Sequence, residues 1–337
     1  MGTYPEHVKI QRRPAVLSAT LIFAATAVAA DKPPSGRLAT VLRDTPVFVE
    51  ADTSSQRLDT ISAGREMVIV EQNGPWLRVF ANTDVQQNQA QDAPVFGGEA
   101  ATPPISGWLQ GKGVVSVSTP NADNILFGAA AGQETRASDV HGSRGAAQAA
   151  RLLYARDAQL FPQGPHAGEA SWRAADIRWQ LEKQDVYSRP SAHEKEAYLR
   201  QQIDDSEMKK VIKHFPGTKF ADLAAYDLLD NKVCGDWQGS TKCPEKEAEL
   251  YQKYADEHPN SPRSPEALFE TVYRWAAAGD IYAGDNNDKK AAEDRDHAKA
   301  VATHLQQKYP DSDYSARAAT LIYQMEQSIP IYGAERD

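Results

Sequence analysis

Residues 258–275 read HPNSPRSPEALFETVYRW: a ring residue, a proline, a short polar turn and then an amphipathic run. The same order recurs in YPDSDYSARAATLIYQM, residues 309–325, and more loosely after Phe161-Pro162 and Phe215-Pro216. Such recurrence is typical of helical hairpins stacked side by side, because one hairpin cannot bury its apolar face alone. The pattern predicts an all-α solenoid of helical hairpins, and stacked hairpins usually bind other molecules rather than catalyse reactions.

Helical periodicity divides residues 141–330 into about four hairpins. Their helices are expected at 143–160 and 168–183, 193–214 and 219–231, 244–257 and 265–278, and 288–308 and 312–328. The third hairpin has the end signals of a helix: Ser264 can cap it, Pro265 suits its first turn and Gly279 can end it. These signals favour helix pairs over strands.

Residues 36–120 have a different pattern. Short segments rich in Val, Ile and aromatic residues, LATVL, PVFVE, EMVIVEQ and WLRVFA, are separated by Ser, Gly, Asn and Pro. These features predict a small all-β barrel, so the chain is expected to be multidomain. Residues 82–104, rich in Gln, Ala, Gly and Pro, are expected to form an inserted surface loop. Residues 121–140, where small and polar residues prevail, are interpreted as a linker.

Residues 1–30 have the three-part pattern of a secretory signal. Arg12 and Arg13 precede an apolar run, residues 15–30, that ends in small residues. A membrane anchor is the alternative, but the run is shorter than the roughly 20 apolar residues that span a bilayer. No cysteine lies near the expected cleavage site, so a lipoprotein anchor is not expected. The mature protein is predicted to be periplasmic or secreted, without stable membrane insertion.

The charge balance is acidic, with 46 Asp and Glu against 37 Lys and Arg and a formal net charge of -9. Removal of residues 1–30 takes away three bases and one acid, so the mature chain carries -11. Nucleic acid is not an expected partner, because binding to phosphates needs a basic surface.

The chain has two cysteines, Cys234 and Cys243, in the segment CGDWQGSTKC. In an oxidising compartment, two cysteines so close in sequence most simply form a disulfide. A redox centre would prefer a Cys-x-x-Cys spacing, and structural zinc would need two further ligands. We therefore predict a disulfide between Cys234 and Cys243, with redox and zinc sites as the alternatives.

The β-rich region resembles the bacterial SH3 family. The resemblance rests on a glycine-preceded hydrophobic strand at 64–70, a Trp-x-x-Val strand at 76–79 and a closing Gly-Trp-Leu at 107–109. The chain departs from the family at 46–50, where an Asn-Val-Arg stretch is usual, and in the insertion at 82–104. The resemblance implies a small barrel and a ligand of the cell wall or envelope.

The helical region resembles divergent tetratricopeptide proteins of bacterial envelopes, including the outer-membrane-assembly and division-coordination types. Those proteins commonly carry a Tyr-Pro-x-Ser phrase before an Ala-rich helix, and residues 309–312 and 258–261 match this phrase. The four phrases lie 54, 43 and 51 residues apart, whereas a tetratricopeptide repeat is about 34 residues long. The resemblance specifies an architecture more than a partner.

Trp76 and Trp108 are the candidate ligand contacts. Together they could provide a stacking platform for a sugar or a peptide. The alternative is that Trp76 packs in the barrel core and Trp108 lies against the closing strand. The alternative is favoured, because both positions belong to the strand pattern itself.

No residue is predicted to be catalytic or to bind a metal, and no cofactor is expected. His258 belongs to a repeat turn, whereas His297 and His304 lie on a charged helix where solvated side chains are the simpler interpretation. The sequence therefore predicts an exported, non-enzymatic adaptor of the cell envelope. Its repeats would bind an envelope protein or peptide, and its barrel would contact peptidoglycan or protein. The alternatives are a cell-wall hydrolase, a degenerate relative or regulator of one, and a structural spacer.

Overall fold

A computed structural model describes residues 35–84, 104–139 and 145–332 of the chain. The expected signal at 1–30 and most of the expected insertion at 82–104 lie outside the described residues. Within the described residues, an antiparallel sheet of seven strands is followed by nine α-helices. The predicted order, a β part and then an α part, is confirmed.

The sheet contains the five strands that the sequence predicts and two more, at 57–61 and 114–116. In chain order they are β1 (Arg37–Val41), β2 (Thr45–Phe48), β3 (Arg57–Ile61), β4 (Met67–Asn73), β5 (Trp76–Ala81), β6 (Ile105–Gln110) and β7 (Val114–Ser116). Their order across the sheet is β3-β2-β6-β5-β4-β1-β7, and the paired strands are antiparallel. Strand β6 therefore lies inside the sheet, between β2 and β5, although about two dozen residues separate it from β5 in sequence.

Alternation along the strands separates a core face of the sheet from an outer face. On the core face, Leu77 and Val79 of β5 stand opposite Leu109 and Gly107 of β6. Gly107 has no room for a side chain, because a Cβ atom there would lie 2.6 Å from Val47 Cγ1. The close approach of β2 and β6 at this point depends on that glycine.

The α part begins directly after β7. Its helices are α1 (Ala122–Ala137), α2 (Ala146–Leu160), α3 (Ala167–Tyr187), α4 (Ser206–His214), α5 (Lys219–Asp227), α6 (Lys242–Glu257), α7 (Ser264–Gly284), α8 (Asp288–Lys308) and α9 (Asp313–Glu326). Short 3-10 segments occupy Pro190–His193, Ala197–Leu199 and Leu228–Asn231. The pairs α2–α3, α6–α7 and α8–α9 lie where the first, third and fourth hairpins are predicted. The expected ends of α7 are wrong: Ser264 is its first residue and not its cap, and the helix continues past Gly279 to Gly284. No helix in the described ranges combines the length and apolarity needed to cross a membrane.

The interpretation of residues 121–140 as a linker is wrong, because α1 occupies most of this segment. Leu126 and Ala130 of α1 are fully buried, and they share one core cluster with Leu153 of α2 and Val115 of β7. The small residues that suggest a linker are mostly alanines, which have the highest helix propensity. This segment therefore joins the sheet to the helices as part of a shared core.

The first helix of the second hairpin is shorter than the predicted 193–214, because α4 begins only at Ser206. Leu199, which the sequence predicts to face inward, is 53% exposed. The backbone of Ile203 bonds to the side chain of Asn231: its N–H donates to Oδ1 (2.9 Å) and its carbonyl accepts from Nδ2 (2.8 Å). Those backbone groups are therefore not available to a helix, which a local periodicity argument cannot foresee.

The ring residue of each recurring phrase ends a helix in the same backbone conformation. Phe161, Phe215, His258 and Tyr309 have φ between -132° and -125° and ψ between 49° and 59°. Each N–H donates to the carbonyl four residues earlier, and each carbonyl accepts from the N–H three residues later. The recurrence in the sequence is thus a recurrence in the structure.

The same ring residues connect each hairpin to the preceding one. His258 Nδ1 lies 2.8 Å from Asp222 Oδ1 on α5. The Tyr309 hydroxyl donates to the Pro259 carbonyl at 2.6 Å, joining the fourth turn to the third. Phe215 packs against α3, where a Cβ atom at Gly168 would lie 3.3 Å from Phe215 Cδ1. The phrase that recurs in the sequence therefore holds consecutive hairpins together.

Candidate functional site

The outer face of the sheet carries several aromatic side chains, and we term three of them, Phe48, Trp76 and Trp108, the aromatic patch. Trp108 pairs in register with Phe48 on β2 and with Arg78 on β5. The rings of Phe48 and Trp76 meet edge to face, with their centroids 5.9 Å apart. All three side chains are half-buried, so part of each ring surface is open to a ligand.

Neither tryptophan of the aromatic patch belongs to the sheet core. The neighbouring core positions are Leu77 and Leu109, each of which is buried. The interpretation of Trp76 as a core residue is therefore wrong, whereas the role of Trp76 and Trp108 as ligand contacts stays a prediction. The Trp-x-x-Val spacing could have indicated that Trp76 points outward, because residues three apart on a strand point to opposite faces and Val79 points inward.

A charged pair borders the aromatic patch. Arg78 Nη1 lies 3.7 Å from Glu71 Oε2, and the two side chains are 52% and 53% exposed. An ion pair this exposed adds little to stability, so its side chains are available to other partners. Half-exposed aromatic rings beside polar groups suit the apolar faces of sugars and the flat groups of peptides.

The cysteine sulfurs of Cys234 and Cys243 lie at disulfide distance, with the two Cα atoms 6.0 Å apart. The closed loop is fixed to α6 by Glu247, whose Oε1 accepts from the N–H of Cys234 (2.9 Å) and from Trp237 Nε1 (3.0 Å). On α7, Arg274 Nε donates to the other oxygen of Glu247 at 2.7 Å. The loop is therefore a structural connection between two helices.

Trp237, inside this loop, lies between two tyrosines. Its ring is 5.7 Å from that of Tyr332 with an interplanar angle of 20°, and 6.0 Å from that of Tyr273. The N–H of Gly239 also donates to the Tyr332 hydroxyl at 3.1 Å. Our sequence interpretation missed Trp237, although a tryptophan inside a cysteine-bounded loop is itself a signal that the loop packs against something.

Four side chains form a second candidate surface between α3, α5 and the start of α7: Asp176, Tyr226, Asp227 and Arg263. We term it the polar cluster. The guanidinium of Arg263 lies 5.3 Å above the Tyr226 ring and bonds to Glu266. Sequence periodicity does not reveal the cluster, since its members come from three hairpins.

Burial governs the ionisation of the polar cluster. It raises the pKa of Asp227 to about 7, with smaller increases from the charges of Asp176 and Asp230 and an opposing effect of Arg263. Burial also raises the pKa of Asp176. Two half-buried carboxyls beside an aromatic ring are suitable partners for a cationic side chain. The negative charge of Asp227 increases as the pH rises through neutrality.

The histidines singled out in the sequence do not form a common site. His258 is bonded within a turn contact, and exposed His297 meets the Trp275 ring edge-on at 4.8 Å. Across residues 35–84, 104–139 and 145–332, no group of three or more His, Cys, Asp or Glu side chains is arranged to hold a metal ion.

No protein-family model matches the chain, and no curated protein matches it in sequence.

Proposed function

We propose that this protein is a non-enzymatic adaptor exported to the cell envelope. Its helical hairpins hold a protein or peptide partner, and its sheet makes a second contact with the wall or with protein. The sheet is proposed to be an SH3-like barrel and the helices a tetratricopeptide-like solenoid, in line with the resemblances of the two regions. The proposal rests most directly on the aromatic patch, a set of adjacent half-buried rings on the outer face of the sheet.

A buried arginine supports joint action of the two parts. Arg156 of α2 is 6% exposed and donates to the Gly64 carbonyl (3.3 Å), to Glu66 Oε2 (2.8 Å) and to Asp84 Oδ2 (3.2 Å). This network fixes α2 against the β part. Two binding surfaces held in a fixed arrangement raise avidity only for partners whose geometry matches it.

The polar cluster is the proposed contact of the helical part with its partner. It offers the two half-buried carboxyls Asp176 and Asp227, which fit a lysine or arginine side chain of a protein or peptide. The acidic balance of the chain, with a net charge of -9, also favours a basic partner segment.

The wall contact is tested by co-sedimentation of residues 31–337 with purified peptidoglycan sacculi. We expect binding that weakens by about tenfold or more in W76A/W108A, because truncated aromatic anchors usually dominate a binding surface. Tyr323→Ala, which removes a 60% exposed ring from α9, is the matched control. Equal sedimentation of W76A/W108A and the control would exclude the aromatic patch, and release of soluble wall fragments would favour a hydrolase instead.

The helical partner is tested with a photo-crosslinking residue placed in cells at Gln180, an exposed position on α3 one turn from Asp176. Crosslinks to one protein that disappear in D176N/D227N would support the polar cluster. The same probe at Lys299, exposed on α8, is the control. Identical crosslinks from both probes would contradict a specific site, and fractionation of the same cells tests export.

A further inference from the structure

Asp157 is a carboxyl group enclosed in the core of the helical part. It lies on α2 and is 1% exposed, in line with the buried side chains of Leu153 and Tyr154 one turn earlier. Neither of its carboxyl oxygens has a hydrogen-bond partner among the described residues. A carboxylate ion in such a place lacks both water and donors, and that is strongly unfavourable.

The electrostatic surroundings of Asp157 make ionisation harder still. Asp123 on α1 is the one charged group in the described parts of the chain that acts on it, and α3 on its other side adds none. Burial first, and then the charge of Asp123, raise the pKa of Asp157 to about 7. The uncharged acid is therefore the form that suits the packed state.

Asp294 repeats this arrangement at the other end of the helical part. It lies on the buried face of α8, is 2% exposed, and its Oδ2 has no partner within the described residues. The negative charge of Glu245 on α6 acts on it, and Glu245 accepts a bond from Tyr282 of α7 at 2.9 Å. On the same helix, the charges of Lys290 and His297 lower the pKa of Asp294, and that of Glu293 raises it. Burial first, and then Glu245, raise the pKa of Asp294 to about 6.

The two aspartates share a geometry that periodicity would not produce by itself. Each is at least 98% buried on a helix face otherwise lined mainly by apolar residues, and the negative charge of an acidic side chain on another helix acts on each. We infer that Asp157 and Asp294 are protonated in the packed state, and that the packing of α2 against α1 and of α8 against α7 loosens as the pH rises toward neutrality. The stability of the helical part then depends on the protonation of these two carboxyls.

The direction follows from linkage. Both groups have a folded pKa above the unfolded value of 3.8, so the folded protein binds more protons than the unfolded chain at pH values between the two. Stability is then greatest on the acidic side of this window and falls with rising pH, up to about pH 6 for Asp294 and pH 7 for Asp157. Each group lowers the folding constant by up to about tenfold per pH unit within its window.

The inference is tested by urea unfolding of residues 31–337 at pH 5, 6, 7 and 8. For the wild type we expect the folding constant to decrease from pH 5 to pH 7, most steeply where both groups titrate. In D157N, the decrease in the folding constant should be smaller than in the wild type by up to about tenfold per pH unit between pH 5 and 7. In D294N, it should be smaller by up to the same factor between pH 5 and 6 only. D296N, an exposed position on the same helix as Asp294, is the matched control and should follow the wild type.

Unchanged pH slopes in both D157N and D294N would overturn the inference. A second measurement on the wild type serves if a variant does not fold. Hydrogen exchange of α1, α2, α7 and α8, corrected for intrinsic rates, should show protection that falls between pH 5 and pH 7. Protection that stays constant in these helices would mean that the carboxyls do not control the packing.

Discussion

Glu247 and Arg274 form a buried ion pair: Arg274 Nε lies 2.7 Å from Glu247 Oε2, and the side chains of Arg274 and Glu247 are 11% and 2% exposed. Glu247 also receives the N–H groups of Cys234 and Trp237, so one carboxylate fixes α6, α7 and the cysteine loop. Arg274 lies over the Tyr251 ring, 4.4 Å from its centroid. This ion pair therefore connects the two helices of the third hairpin to each other and to the cysteine loop.

Removal of this carboxylate should be severely destabilising. We expect Glu247→Ala to lower the free energy of unfolding by about 3 kcal/mol, because it leaves the buried Arg274 with Glu270 alone and takes the acceptor from the N–H groups of Cys234 and Trp237. Urea unfolding followed by circular dichroism measures the change. Glu249→Ala, two residues along the same helix but exposed, is the control and should change stability by less than about 0.5 kcal/mol. Similar losses in both variants would contradict the assignment.

Loss of Arg156 should separate the sheet from the helices. We expect Arg156→Met to cost about 3 kcal/mol, the lower end for a broken buried pair, because Arg65 remains 3.6 Å from Asp84. Calorimetry should then show two unfolding transitions in place of one, and limited proteolysis should separate the β part from the α part. Arg136→Met, exposed on α1, is the control. A single unshifted transition in Arg156→Met would show that the network does not hold the two parts together.

The cysteine pair should stabilise the chain. We expect C234S/C243S to lower the free energy of unfolding by about 2–4 kcal/mol, because the unfolded chain is then no longer closed into a loop. Reductant added to the wild type should reproduce this loss in urea unfolding. The double variant is its own control, since reductant should leave it unchanged. A wild type that is insensitive to reductant would contradict a stabilising disulfide.

The hydroxyl of Tyr309 should stabilise the contact between the third and fourth turns. We expect Tyr309→Phe to lower the free energy of unfolding by about 0.5–1.5 kcal/mol, since it removes the bond to the Pro259 carbonyl. Tyr323→Phe, at an exposed position on α9, is the control. Chemical denaturation can resolve the difference, and an equal effect of both substitutions would show that the turn contact is not the cause.

Much of the helical part could be predicted because its signals are local. The helix at 288–308 is observed with the predicted bounds, and α9 begins within one residue of the predicted 312. Pro310 and the Ser312 cap act within a few residues of the helix end, so the local sequence is enough to predict where these helices end and begin. The conformation shared by the four ring residues follows from the same short phrase.

The errors arose where distant residues decide the outcome. Asn231 binds the backbone of Ile203 from 28 residues away, so no pattern within 193–214 indicates that the helix is interrupted. Residues 121–140 read as a linker in isolation, but one face of α1 is buried against α2 and the sheet. For Trp76, the strand was predicted correctly and the face was not, because the face depends on which neighbouring residues point inward.

The sequence alone determined the order of a β part and an α part, most helix bounds, the recurring turn and the pairing expected of Cys234 and Cys243. These features depend on periodicity, capping and spacing, whose energies act between residues close together in the chain. The tertiary structure decided the outward position of Trp76 and Trp108, the polar cluster, the Arg156 network and the burial of Asp157 and Asp294. Each of these depends on which surfaces meet after folding, because burial and charge interactions are set by neighbours in space rather than in sequence.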